Sequence, residues 1–162
     1  GGPSFYPDLP AEVLAGQSRP GENWGKSSIE EQRRRSVYIF VKRSLAVPII
    51  ASFDGPETDF SCSERFATTQ PTQALGMLNS EWINDQAKIL AAFLKQNAGE
   101  RPEDQVRLAL RRTLQRVPTA AEVERGVKLI ESLQKEEQFT ADQALNAFCL
   151  VALNLNEFIY LD

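Results

Sequence analysis

The chain has 162 residues, 42% hydrophobic and 25% charged, with formal net charge -4 and an isoelectric point near 5.0; this suits one domain around a single core and gives no general attraction for nucleic acid. Histidine is absent, which removes a histidine general base, a Ser-His-Asp triad, a histidine zinc site and a histidine-ligated haem from the chain's own chemistry. No apolar run approaches the ~18 residues that span a bilayer, and Gly1-Gly2-Pro3 has neither the basic nor the apolar region of a signal peptide, so neither feature is expected here.

Residues 1–25 are punctuated by prolines at 3, 7, 10 and 20 and by glycines at 1, 2, 16, 21 and 25. Such a stretch builds no core of its own. Phe5, Tyr6, Leu9, Val13, Leu14 and Trp24 predict an extended arm docked on a helical body over 26–162, with one helical turn from Pro10 to Ala15. Ser28 followed by Glu31 has the spacing of a capping box. Glu30–Arg34 and Glu31–Arg35 are acid-first i,i+4 pairs. Together these predict one helix from Ile29 to about Arg43, with Pro48 limiting its extension. Six basic residues against two acidic ones between Lys26 and Arg43 leave a local charge of +4, and Arg33, Arg34, Arg35 and Lys42 form a candidate basic surface.

Leu45 to Thr69 reads as a long ordered loop, a length that points to packing or binding. It holds the turn Phe53-Asp54-Gly55-Pro56, then Asp59, Cys62 and Arg65. Asp54, Arg43 and Arg65 are a candidate polar pocket; the competing reading is that Asp54 caps a turn and a carboxylate here pairs with an arginine. Cys62 and Cys149 are far apart with no Cys-x-x-Cys spacing, so they read as inert buried thiols or, in an oxidising compartment, as a pair.

From Thr69 the pattern is helical. Pro71 stands at a permitted first position before Ala74, Leu75, Met77 and Leu78. Ser80 caps a second helix, with Ile83, Ala87, Leu90, Ala91 and Leu94 on one face and Gly99 as its stop. Pro102 to Arg116 places Val106, Ala109, Leu110, Leu114 and Val117 inward and Arg107, Arg111, Arg112 and Arg116 outward. With eight basic and seven acidic residues over 101–137, that outer face reads as solvated rather than phosphate-binding. Thr119 with Glu122 and Thr140 with Gln143 open two more helices. The first buries Val123, Val127, Ile130 and Leu133; the second is apolar nearly all round from Ala144 onward and is expected at the centre. Asn146, Asn154 and Asn156 interrupt it, and any interior amide must be hydrogen-bonded or cost about 1–3 kcal/mol. The fold class is therefore all-α, an irregular bundle of about five to six helices with an extended N-terminal arm and a long ordered loop.

Several motifs stand in a fixed order: Gly1-Gly2-Pro3-Ser4-x-Tyr6-Pro7, Arg34-Arg35-Ser36-Val37-Tyr38, Lys42-Arg43-Ser44, Phe53-Asp54-Gly55-Pro56, Cys62 with Arg65, the run 69–79, Arg116-Val117-Pro118-Thr119 with Glu122, and Asn156-Glu157-Phe158-x-Tyr160-x-Asp162. Over almost the whole chain they resemble a planctomycete-specific C-terminal domain of unknown function, found in large exported proteins behind a cytochrome-c-like domain and a second planctomycete-type domain. The resemblance implies an all-helical module of a periplasmic or cell-surface parent, with the other domains of that parent as partners. It carries over no catalytic residue and no cofactor, the haem-binding Cys-x-x-Cys-His being missing here, and an exported parent favours a Cys62–Cys149 pair.

Two functional readings remain. One is a non-catalytic structural or interaction module, for which an exposed apolar patch is the expected mark. The other is a glycan-active or carbohydrate-binding domain using two of Asp54, Asp59, Glu64, Glu157 and Asp162, since glycoside hydrolysis needs only two carboxyl groups about 5–5.5 Å or about 6.5–9.5 Å apart. Trp24, Trp82 or Tyr38 would be its stacking platforms. No nucleic-acid partner and no metal are expected.

Overall fold

A computed structural model of the chain describes residues 2–19, 22–56 and 71–160. Contacts group the chain into two compact units, Gly1–Thr69 and Gln70–Asp162. Among the described residues there are nine α-helices and no sheet, so the fold is all-α.

In the first unit the N-terminal segment is woven in rather than laid on. The Phe5 N–H donates to the Tyr38 carbonyl at 2.9 Å, and the Phe40 N–H donates to the Phe5 carbonyl at 2.8 Å, which makes a single parallel bridge between Phe5 and Ile39. Phe5 is only 2% exposed. Tyr6 stands edge-on to Trp24 at 5.5 Å and against Phe40 at 4.8 Å. Gly25 lies under that tyrosine, where an added Cβ would come within 2.7 Å of its ring. The Tyr6 N–H donates to the buried Ser27 hydroxyl at 3.1 Å, and the Trp24 indole donates to the Pro7 carbonyl at 3.2 Å. The predicted turn after Pro10 is helix α1, Ala11–Ala15.

The predicted helix from Ile29 to Arg43 does not form. The capping box of Ser28 and Glu31 is present, but helix α2 covers only Ile29–Gln32. A 3-10 turn, Ser36–Tyr38, follows between the extended residues Arg35 and Ile39. The reason is long-range: Phe5 claims the backbone groups of Tyr38 and Phe40 that a helix would need, and the β-branched Val37, Ile39 and Val41 favour the extended form it imposes. Arg34 consequently turns its Nε to the Glu31 backbone carbonyl at 3.3 Å instead of pairing with Glu30. The loop reading from Leu45 is corrected too. Pro48 starts helix α3, Pro48–Ser52, from the first helical position, and the Phe53-Asp54-Gly55 turn then closes with the Gly55 N–H donating to the Ile50 carbonyl at 2.8 Å. Residues 57–69 of that loop lie outside the described residues.

The second unit runs α4 (Pro71–Asn79), α5 (Glu81–Ala98), α6 (Pro102–Leu114), α7 (Ala120–Glu136), α8 (Ala141–Ala152) and α9 (Asn156–Ile159). Each boundary has a local cause. Ser80 caps α5 by accepting from the Ile83 N–H, and Gly99 at φ 70° ends it; the two predicted capping boxes open α7 and α8. Helix α5 packs on α8 and α6, and α7 packs on α6 and α8. The core is Ala87, Ala91 and Leu94 of α5, Val106, Ala109 and Leu110 of α6, Val123 and Ile130 of α7, and Leu145, Phe148 and Cys149 of α8. Leu94, Val106 and Cys149 are its most enclosed large side chains; full burial of a leucine or valine stabilises by about 1.5–3 kcal/mol.

Two helix ends differ from the pattern reading. Helix α6 stops at Leu114 because Gln115 turns left-handed, so Val117, expected inward, is 76% exposed. The final helix breaks after Ala152, and it is not apolar-buried all round, since Val151 and Phe158 are exposed. Asn154 donates to the Leu150 carbonyl at 2.7 Å at that break, a tie along the chain.

Candidate functional site

Of the predicted pocket, Asp54 sits half-buried at φ 53° with its N–H donating to the Ala51 carbonyl at 3.3 Å, and Arg43 is exposed. Arg65 lies outside the described residues, as do Asp59, Cys62, Glu64 and Asp162. Gly55 holds the turn because a Cβ there would meet the Ile50 carbonyl at 2.7 Å.

The basic run divides by role. Arg34 lies 5.3 Å from the centre of the Phe5 ring and 5.6 Å from that of Tyr38, a guanidinium held by two aromatic faces. Lys42 donates to the Glu22 carbonyl at 2.6 Å and to Gln17 at 3.4 Å. Both cations are therefore ties within the first unit, while Arg33 and Arg35 remain exposed. Trp24 and Tyr38, considered as stacking platforms, are taken up by this same aromatic packing.

In the second unit, Glu157 is held by Arg116 at 3.0 and 3.1 Å, and the same guanidinium grips Glu122 at 2.7 and 3.0 Å. Glu122 also accepts from the Thr119 N–H at 2.7 Å. The Arg116 bonds foremost, then the Thr119 N–H, hold the Glu122 carboxyl down to about 2, and these carboxylates push Arg116 upward. The sequence run from Arg116 to Glu122 is thus a charged clasp joining the start of α7 to α9. The chain end is fastened a second time where the Tyr160 hydroxyl donates to the buried Gln73 of α4 at 2.7 Å. Cys149 is fully buried in the core, and burial pushes its thiol up to about 12, the state of an unreactive small hydrophobe. Among the described residues no group of three or more cysteine or acidic side chains is placed to hold a metal, and no helix is long and apolar enough to cross a membrane.

What the pattern reading missed is four exposed apolar side chains on two successive helices. Leu75 and Leu78 of α4 and Trp82 and Ile89 of α5 are 59%, 40%, 57% and 52% exposed. The i,i+3 and i,i+7 spacings put each pair on one face of its helix. In the same helices the side that packs is Met77, Ile83, Ala87, Ala91 and Leu94. The signal was present as an excess of apolar residues over what one buried stripe needs.

These features define an all-α protein whose conspicuous charged residues mostly clasp its own elements. The chain belongs to the PSD1 family, described as a protein of unknown function (DUF1553), whose model matches residues 1–130. That range ends inside α7, yet α8 supplies Leu145, Phe148 and Cys149 to the core, so the folded unit extends beyond the matched residues. Neither a curated protein nor a solved structure matches the chain.

Proposed function

We propose that the chain is a non-catalytic interaction module of an exported multidomain protein, acting in the periplasm or at the cell surface and docking on the cytochrome-c-like domain of its parent. The observation that carries this reading is the outward apolar set Leu75, Leu78, Trp82 and Ile89. Four large apolar side chains left in water on two successive helices are the composition of an interface core, and a half-exposed tryptophan is the usual kind of anchor. The histidine-free sequence and the ordered motifs shared with the planctomycete-type domain support the same reading. Of the carboxylates of the glycan reading, Glu157 pairs with Arg116, while Asp59, Glu64 and Asp162 lie outside the described residues.

The test is calorimetric titration of the chain against the separately produced cytochrome-c-like domain. Saturable binding is expected, weakened at least about tenfold by Leu75→Ser with Trp82→Ser. Absence of binding, or binding indifferent to both substitutions, would remove the proposal.

A further inference from the structure

The outer surface beside the end of α5 and the length of α6 carries two neighbouring shallow depressions open to solvent. They share Leu108 and Arg111 as lining. The acids of this stretch are already matched: Glu103 pairs with Arg107 at 2.8 Å and Asp104 with Arg101 at 3.5 Å. Arg111 makes no ion pair or hydrogen bond among the described residues. Arg112, lining the first depression, has its guanidinium 4.7 Å from the centre of the Phe93 ring. The ring contact is a cation–π interaction, and the guanidinium N–H groups can also donate to an oxyanion.

The second depression is also lined by Ala98 and by Asp104 and Arg107, the two partners already paired with Arg101 and Glu103, and one amide lines each depression. Gln115 of the first depression donates its NH₂ to the Arg112 carbonyl, and Asn97 of the second donates to the Phe93 carbonyl at 2.7 Å. Each amide keeps one N–H and its oxygen for a ligand, so it can both donate to and accept from hydroxyls. The combination is the two guanidiniums of Arg111 and Arg112, two amides, the Asp104–Arg101 and Glu103–Arg107 pairs at one edge, and the apolar Leu108. An inorganic anion would engage the guanidiniums alone, and a neutral polyol would engage both sets of groups without the charge that pairs with a guanidinium.

We propose that this double depression binds a hydroxylated carboxylate, the class to which sugar acids belong, with Arg111 and Arg112 holding the carboxylate and Gln115 and Asn97 accepting from hydroxyls. The site lies on α6 and the end of α5 and is independent of the α4–α5 apolar surface.

The experiment is an amide NMR titration of the full chain with glucuronate, glucose and inorganic sulfate in parallel. Glucuronate is expected to shift amides around Leu108, Arg111 and Gln115 saturably, glucose to leave them in place, and sulfate to bind at least about tenfold more weakly than glucuronate. Arg111→Ala should weaken glucuronate binding at least about tenfold with the melting temperature kept, since Arg111 is an exposed side chain. Arg112→Lys, which keeps the charge and loses the planar fork, should weaken it as well. No saturable shift with glucuronate, glucose acting equally, sulfate binding as tightly, or unaltered binding by Arg111→Ala would each overturn the proposal.

Discussion

Arg116 shows how this protein uses charge: one guanidinium joins Glu122 at the head of α7 to Glu157 on α9. Arg34 between Phe5 and Tyr38, and Lys42 on the Glu22 carbonyl, do comparable work in the first unit. None of these partnerships is visible in spacing, because each links residues that the fold, not the local sequence, brings together; only the Thr119–Glu122 box was legible. The clasp has a pH signature. The Glu122 carboxyl, with an ordinary value of 4.5, is held down to about 2 by Arg116 and the Thr119 backbone. Its stabilising contribution is therefore complete above about pH 4.5 and fades as pH falls through about 2. Melting curves from pH 7 to pH 2 should show Glu122→Gln less stable than the native chain at neutral pH, with the gap narrowing below pH 4.5. A gap of constant size across that range would mean that the carboxylate charge is immaterial.

Among elements, the helices from α5 to α8 were readable because their signals are local and agree. Ser80, Thr119 and Thr140 cap where capping spacing puts them, and the three-and-four periodicity of Ile83, Ala87, Ala91 and Leu94 marks the side that is buried. Residues 29–43 failed as a helix because their conformation is decided by Phe5, more than twenty residues away. Val117 failed because one left-handed residue, Gln115, ended the helix before the pattern did. Gly126 within α7 carries a packing role that composition hides. A Cβ there would lie 2.6 Å from Val106 Cγ1 and 2.9 Å from Phe148 Cε2, so α6, α7 and α8 approach one another through that gap. Gly126→Ala should lower stability in urea titration, since overpacking costs about 1–3 kcal/mol and exceeds the about 0.5–1 kcal/mol that alanine gains over glycine in a helix. An unchanged or raised midpoint would show that the three helices do not depend on this close approach.

For the whole molecule, each unit shows that burial and exposure are settled separately. The second unit closes its core around Leu94, Val106 and Cys149, yet leaves Leu75, Leu78, Trp82 and Ile89 outside. Periodicity in the sequence says which residues share a face, but not whether anything covers it, and for that reason the candidate surface was invisible while the bundle was not. The polar pocket expected at Asp54 also requires Arg65, which lies outside the described residues. On the function proposed above, the exposed apolar side chains of α4 and α5 are surplus to folding and kept for a partner. The most direct check is the urea titration of the chain carrying Leu75→Ser and Trp82→Ser together. The unfolding free energy from that titration is expected within about 0.5 kcal/mol per site of the native chain, as for surface positions; a loss of about 3 kcal/mol or more, as for truncated core residues, would contradict it.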